Sequence, residues 1–438
     1  LSSDYEKNSL TLFDAVAMGT GVMIGAGILA LTGQIAELAG PLFPFVFLSG
    51  AVVTAFSAYT YIKMSNAYPS AGGIGMILKK AYGPTTVTAG AALLMALSMV
   101  INESLVARTF ASYLLRGLDM SPSGWLLPAI SVGVILFAFL INISGNKSIG
   151  LFSTIMAALK VGGIALFGFA ALWAGGFSFE ATGGGEDQSG LTGFIAATAL
   201  SILAFKGFTT ITNSGAEITD PHHNVGRAII AAIIICILVY LLVAFAVGSS
   251  LPLEKIIEAK DYALAEAAKP TLGLVGFYLT VALALVATSS GLIASMFAVS
   301  RMLAMLTEMK LIPHSHFGMP GVIRDHTLVY TVVFAGLLAV FFDLSQIASL
   351  GAFFYLVMDI IIHWGVFRHL RSDIGARGWI LLTAIGLDAV VLTAFALLKW
   401  QQDPAIVVYA VVGIAVVFVF VKAFLHFNPP DAQEKHSH

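Results

Sequence analysis

The stretch "GTGVMIGAGIL", residues 19–29, lies in an otherwise apolar run (11–39) and carries four glycines in nine positions, Gly19, Gly21, Gly25 and Gly27. The run is long enough to cross a bilayer as a helix. Glycine weakens a helix interior by about 1 kcal/mol relative to alanine, and hydrocarbon offers no water to a loosened backbone. Two readings offset that weakness. Small residues let neighbouring helices approach closely. Alternatively the helix breaks here: its second half then presents free N–H groups and a partial positive end, its first half free carbonyls, and glycine lets a ligand reach that backbone.

The rest of the chain favours a membrane setting. Of 438 residues, 58% are hydrophobic and 11% charged, with a mean hydropathy of +0.92; soluble domains carry roughly 25% charge. The net charge of −2 gives no sign of nucleic-acid binding, and the single Cys236 excludes a disulfide framework or a multi-cysteine metal site. The chain starts at Leu1 without a methionine, so a trimmed or engineered start is expected, and no signal peptide with a cleavage site is evident.

Apolar runs near twenty residues give twelve predicted spans: 11–39, 42–64, 85–116, 125–143, 151–174, 192–213, 226–249, 272–306, 327–343, 345–368, 379–398 and 404–426. With the N-terminus inside, fourteen lysines and arginines fall in cytoplasmic segments against five outside, so both termini are predicted to be cytoplasmic. The external segment "LPLEKIIEAKDYALAEAAKPTLG" has the spacing of a short amphipathic helix and reads as a lid, whereas 175–191 reads as a polar external loop.

Span six repeats the peculiarity of span one: "SILAFKGFTTITNSG" places a lysine, a glycine and hydroxyl residues where lipid favours leucine. Span one opens a set of five spans (11–174) and span six a second set (192–368). Five is odd, so the second set enters from the opposite face. The expected fold is therefore an all-α polytopic membrane protein, an inverted five-helix repeat with helices 1 and 6 broken. Helices 11 and 12 (379–426) follow, and cytoplasmic tails (1–10 and 427–438) close the chain. Interrupted segments at matching places in two halves point to a midplane binding site. Amides at Ile24, Gly25, Ala26 and Gly27 would hold a carboxylate, and carbonyls at Ile202, Leu203, Ala204 and Phe205 an ammonium; an α-amino acid has both.

Four stretches resemble the amino acid–polyamine–organocation superfamily: "GTGVMIGAGIL", "YPSAGGIGMILKKAYG" (68–83), "NSGAEITDPHHNVGRAI" (213–229) and "SRMLAMLTEMKLIP" (300–313). The similarity is greatest to prokaryotic proton-coupled, broad-specificity amino acid permeases. It implies the inverted-repeat fold and alternating access. Departures fall at His222 and His223, Gly226, and Glu308–Met309–Lys310, in loops expected to affect gating. Lys206 is a further departure, inside the helix-six break itself.

Charged side chains within the bilayer are functional hypotheses by default. Lys160 lies about 14 Å into span five at 1.5 Å per residue, deep enough that its charge depends on its surroundings rather than on water. The resemblance implies a proton-coupling role in which its ammonium bridges helix one near Gly19 and Gly21 to hydroxyls of helix eight, Thr288, Ser289 or Ser290; the alternative is a purely structural lysine. Glu103, by the same resemblance on a pocket-facing position of helix three, is expected to pair with Lys206 beside the substrate, either to select cargo or carry a proton, or as a fixed bridge. Arg108 is expected to line or anchor the outer end. Asp359 and His363, four apart, share a helix face and read either as a proton relay or as a structural pair; Asp388 is expected to make an oligomer contact or a local hydrogen bond. Phe205 and Phe208 are gate candidates. His314 and His316 read as loop residues, not metal ligands.

Together these residues predict a secondary active transporter of the cytoplasmic membrane, moving small amino acids or related zwitterions with protons. Lys206 leaves open a small carboxylate anion as cargo, and a structural Lys160 leaves open exchange. Neither cofactor nor metal is expected, with the proton gradient as energy source. The expected partners are the small-molecule substrate and the lipid bilayer, without nucleic acid or an obligatory protein partner. A membrane-embedded enzyme lacks support, because no metal cluster or nucleophile–base pair is evident.

Overall fold

The computed structural model describes residues 9–70, 72–121, 124–143, 149–174, 176, 190–313 and 323–428. Among them the regular secondary structure is all helical, apart from one parallel bridge between Leu10 and Ile218. The helices are α1 (Leu12–Ala39), α2 (Phe43–Ala67), α3 (Gly73–Tyr82), α4 (Thr86–Gly117), α5 (Leu126–Ile143), α6 (Ile149–Ala174), α7 (Gly190–Phe205) and α8 (Thr209–Asn213). They continue with α9 (Pro221–Ser250), α10 (Leu253–Glu258), α11 (Ala263–Glu308), α12 (Ile323–Phe341), α13 (Leu344–Gly365), α14 (Gly378–Gln402) and α15 (Pro404–Phe427). His314 and His316, and nearly all of the loop 175–191, lie outside the described residues.

Nine stretches among the described residues are long and apolar enough to cross a membrane, and two shorter apolar helices, Ala158–Ala174 and Asp325–Phe341, accompany them. The protein is a multi-pass membrane protein. The first stretch, Leu12–Ala67, has 56 residues, about 84 Å of helix and far more than one crossing. Gly40 divides it, turning with φ 60° into a short 3₁₀ piece before α2 begins. A capping box at Thr11 and Asp14 starts α1 by satisfying its first free amides.

Two sequence expectations change. The break predicted in helix 1 is absent: α1 runs as one α-helix through Gly19–Leu29. Its glycines are used for packing. A methyl group at Gly25 would lie 2.9 Å from the Ala287 carbonyl oxygen and 3.4 Å from Gly291 Cα of α11, and one at Gly27 would lie 2.8 Å from Ala204 Cβ of α7. Close approach of backbones therefore accounts for the stretch in this conformation. In span six the interruption is mild: a 3₁₀ turn, Lys206–Phe208, separates α7 from α8.

α1 is the axis of the bundle, packed on α6, α7, α9 and α11, while α4 packs on α11 and α13. Buried side chains fill this interior, whereas Leu166, Trp173, Val275, Phe341, Val419 and other large apolar residues stay exposed on the periphery, where lipid would cover them. The segment expected to be a surface lid folds as α10 and the first turns of α11, which bends at Gly273 (φ 65°, ψ −163°) before its long apolar part. Lys260 lies against Gly33 so closely that a side chain at Gly33 would strike its backbone.

Candidate functional site

Where α1, α4, α7–α8 and α11 meet, the structure leaves a small internal cavity of about 10 Å³, room for roughly one water molecule. Its walls are Val22 of α1, Met99 and Asn102 of α4, Leu203 and Ala204 of α7, Lys206 and Gly207 of the 3₁₀ turn, Thr209 and Thr210 of α8, and Ser295 of α11. The 3₁₀ turn shapes it: 3₁₀ geometry within a helix has poorer hydrogen bonds and often marks a hinge, and here it presents Lys206 to Ser98 of α4, while Thr209 Oγ1 donates back to the Lys206 carbonyl at 2.8 Å.

Lys206 is buried, and its Nζ donates to the Ser98 carbonyl oxygen (2.7 Å) and to Ser98 Oγ (2.9 Å) of α4. Ser98 Oγ donates onward to the Gly351 carbonyl of α13 at 3.1 Å, and the ammonium also lies 6.0 Å from the centre of the Tyr355 ring. The expected Glu103–Lys206 ion pair is not formed. Glu103 is fully buried with both carboxylate oxygens lacking a hydrogen-bond donor, and Lys206 and Ser295 are the groups that act on it electrostatically. Ser98, about one and a half turns earlier on α4, takes the ammonium instead, because it offers two oxygens opposite the 3₁₀ turn.

Lys160 is buried, and Nζ donates to the Gly21 carbonyl oxygen at 3.1 Å, joining α6 to α1. The second half of the expected bridge is missing. The hydroxyls of Thr288, Ser289 and Ser290 donate to carbonyls one turn back on their own helix, Ala284, Leu285 and Val286. Ionised side chains within membranes commonly rest on backbone carbonyls in this way.

The proposed carboxylate cradle at Ile24, Gly25, Ala26 and Gly27 is not open, since those amides lie inside continuous α1. Of the proposed ammonium carbonyls, those of Ile202, Leu203, Ala204 and Phe205 all sit in the last turn of α7, and Ala204 O is already approached by Tyr240 Oη (3.1 Å), which also reaches Met23 O (2.6 Å). One hydroxyl proton thus spans the two helices on which substrate binding was expected. Phe205 packs on the Tyr240 ring (centroids 4.9 Å) and Phe208 on Tyr61 (5.2 Å); neither lines the cavity. Arg108 donates to the Ala339 carbonyl at 2.7 Å, tying α4 to α12.

Polar clasps close the bundle at both ends of α1. At its N-terminal end, Leu10 exchanges backbone hydrogen bonds with Glu217 and Thr219, and Glu217 pairs with Arg301 of α11. At its C-terminal end, Gln34 donates to Asp261 (2.8 Å) and Lys260 to Glu37 (2.8 Å). Nearby, Arg116 and Lys269 pair with Glu266. Burial opposes charge on Glu266, but the Arg116 and Lys269 contacts outweigh it and hold the carboxyl below its ordinary range.

Asp359 and His363 are together as their spacing suggested, but fully buried, and Asp388 points inward at His363, 3.7 Å away, making neither an oligomer contact on the surface nor a local hydrogen bond. The sequence reading missed Tyr240, Ser98, Ser57 and Tyr61. Tyr240 had a signal, as the only polar ring in the apolar run "AAIIICILVYLLVAFAVG"; the others have none without the fold.

An apolar multi-helix body around a small internal cavity lined in part by polar side chains is the architecture of a multi-pass membrane protein. The amino acid permease family matches residues 10–436, and the chain belongs to it. An uncharacterized protein of Methanocaldococcus jannaschii is 29% identical over 401 residues, covering 91% of this chain and 90% of its own. The inner membrane transport protein YbaT of Escherichia coli is 28% identical over 408 residues (92% and 93%). The branched-chain amino acid permease BcaP of Lactococcus lactis is 26% identical over 309 residues (62% and 64%).

Proposed function

We propose that the protein is a secondary active transporter of small amino acids, working by alternating access in the cytoplasmic membrane and coupled to protons. The observation that carries this reading is the central cavity lined by Lys206, Asn102, Ser295, Thr209 and Thr210, surrounded by helices and clasped at both ends of α1. Membership of the amino acid permease family supports the cargo class. A cavity of about 10 Å³ is too small for any amino acid, so this conformation is an occluded one, and loading requires α1 to move. The glycines that pack α1 so tightly are also where it bends most easily.

The reading includes twelve spans, counted by adding the two shorter apolar helices to the nine long stretches and splitting Leu12–Ala67 at Gly40. They form two inverted sets of five, with α14 and α15 appended. Both termini are cytoplasmic. The Glu217–Arg301 clasp then closes the inner side, and the Lys260–Glu37 clasp the outer. Lys160 gains and loses the coupling proton. Its hold on Gly21 O fixes α1 when charged and releases it when neutral. Substrate carboxylate goes to Lys206 with Thr209 and Thr210, and its ammonium to Asn102 and the Ala204 carbonyl. Because Lys206 is the cation lining the cavity, a small carboxylate without an amine is the second reading.

The test is uptake of labelled amino acids into sodium-free proteoliposomes with an alkaline interior, comparing wild type with Lys160→Ala. Accumulation that collapses with the pH gradient and fails in the variant supports the proposal. Uptake only into preloaded vesicles, indifferent to pH, identifies an exchanger with a structural Lys160. Competition by carboxylates lacking an amine favours the second reading.

A further inference from the structure

Away from the cavity, three ionisable side chains meet where α2, α13 and α14 pack. His363 Nε2 lies 3.3 Å from Asp359 Oδ2 and 3.7 Å from Asp388 Oδ2, and all three side chains are 0% exposed. Asp359 is well supplied with donors: Ser57 Oγ donates to Oδ2 at 2.6 Å and Tyr61 Oη to Oδ1. Asp388 is not. Neither of its oxygens has a hydrogen-bond donor, and both His363 ring nitrogens lack a hydrogen-bond partner.

Among the described residues the surroundings supply no compensating cation. The charged groups acting on Asp359 and Asp388 are His363 and each other. Facing the cluster are Tyr61 from α2 and Tyr355 from α13, both neutral phenols, with Lys206 beyond Tyr355 and committed to Ser98. Tyr82 of α3 donates to the Ile361 carbonyl on α13. Glu103 of α4 faces Lys206 and Ser295 instead. With both carboxylates ionised and the imidazole neutral, the cluster would hold two uncompensated negative charges on fully buried side chains, which is strongly unfavourable. Two bound protons remove the problem: one makes His363 an imidazolium beside the ionised Asp359, and the other makes Asp388 a neutral acid, the form an oxygen pair without donors can tolerate.

We propose that Asp359, His363 and Asp388 form a buried two-proton store, separate from Lys160, that sets the packing of the turn between α7 and α8. Its link to that turn is direct. Tyr61, which donates to Asp359, packs edge-on against Phe208 (centroids 5.2 Å), and Tyr355, on the same helix face one turn before Asp359, lies beneath Lys206. Phe208 and Lys206 are the two ends of the 3₁₀ turn. Loss of a proton from the store would draw water or a cation toward α13 and shift the rings that hold the turn. The store itself does not depend on the transporter reading; only its effect on uptake does.

Infrared spectroscopy of the purified full-length protein tests the store directly. Carbon-13 labelling of aspartate separates its signals from those of Glu103. At neutral pH the wild type should show the carbonyl stretch of a neutral aspartic acid. Asp388→Asn, an uncharged isostere that keeps the fold, should lose it, and Asp388→Glu should move it into the glutamate signals. In His363→Gln both aspartates must be neutral, so the signal should rise about twofold. Absence of the signal in wild type overturns the proposal. So does a divalent cation that copurifies in equal amount and is lost in Asp388→Asn, because that outcome makes the cluster a metal site. For the link to the turn, uptake at a constant pH gradient should fall more steeply in wild type than in Asp388→Asn as both sides are made alkaline, the fall that remains in the variant being that of Lys160; identical profiles overturn the link while the infrared signal judges the store. Failure of all uptake would count against the transporter reading alone.

Discussion

Replacing Tyr240 by phenylalanine isolates the contact that holds the middle of α1 to the end of α7. The residue is fully buried, and its one hydroxyl proton is shared between Met23 O at 2.6 Å and Ala204 O at 3.1 Å. Phenylalanine keeps the ring contacts with Phe47 and Phe205, so the change removes the hydroxyl and little else. Because α1 is a continuous helix, Met23 O retains its own helical donor after the substitution. The cost is then that of one interhelical hydrogen bond in a membrane protein, about 0.6–1.5 kcal/mol, or roughly three- to twelvefold in the unfolding equilibrium constant. Equilibrium unfolding of the purified protein in mixed micelles, titrated with a denaturing detergent, measures it. A loss of about 3 kcal/mol or more would refute the reasoning: it would mean that Met23 O has no other donor and that α1 is interrupted beside Gly25 after all, since an unsatisfied buried carbonyl adds its full desolvation cost.

Gly25→Ala should destabilise by about 1–3 kcal/mol, because the new methyl meets backbone atoms of Ala287 and Gly291 that cannot rotate away, whereas Gly162→Ala, with nothing within 4 Å, should be neutral or stabilise by up to about 1 kcal/mol; thermal unfolding of the pair checks both. Glu217→Gln removes a charge-assisted contact to Arg301, which at about 1.5–3 kcal/mol should raise alkylation of a cysteine placed at Thr210 roughly tenfold or more, and an unchanged rate would show that the clasp does not hold the site closed. Glu266, held below its ordinary range by Arg116 and Lys269 despite burial, contributes stability that is present above the unfolded-state value of about 4.3 and is lost as pH falls through the lower folded value. Unfolding measured between pH 5 and 3 should therefore show a slope in wild type that Glu266→Gln reduces.

Much of this was readable from residue order. Hydropathy delimits the helices because each must fill a bilayer with apolar side chains, a local requirement. The oddity of span six corresponds to a real 3₁₀ turn, since a lysine and glycine in that setting weaken regular helix wherever they occur. Lys160 was placed beside Gly21 on the strength of depth and family resemblance, and the Asp359–His363 pair by helical periodicity alone.

What misled was non-local. The glycines of "GTGVMIGAGIL" fit a broken helix and a tightly packed one equally well, and only the Ala287 carbonyl and Ala204, distant in sequence, favour packing in this conformation. Lys206 had an obvious partner by charge in Glu103, yet Ser98 lies nearer the turn and offers two oxygens. Asp388 was expected to make an oligomer contact or a local hydrogen bond because its span follows the first ten, but the face that α14 turns to α13 brings its carboxylate to His363.

The sequence by itself determined the all-helical, apolar character of the protein, the weak point in span six, and which few charges must reside among the helices, since each depends on a residue and its near neighbours meeting a hydrocarbon environment. Only the tertiary structure decided which partner each buried polar group takes, because hydrogen bonds and ion pairs act over a few ångströms, and those few ångströms are set by how helices far apart in the chain come to lie side by side.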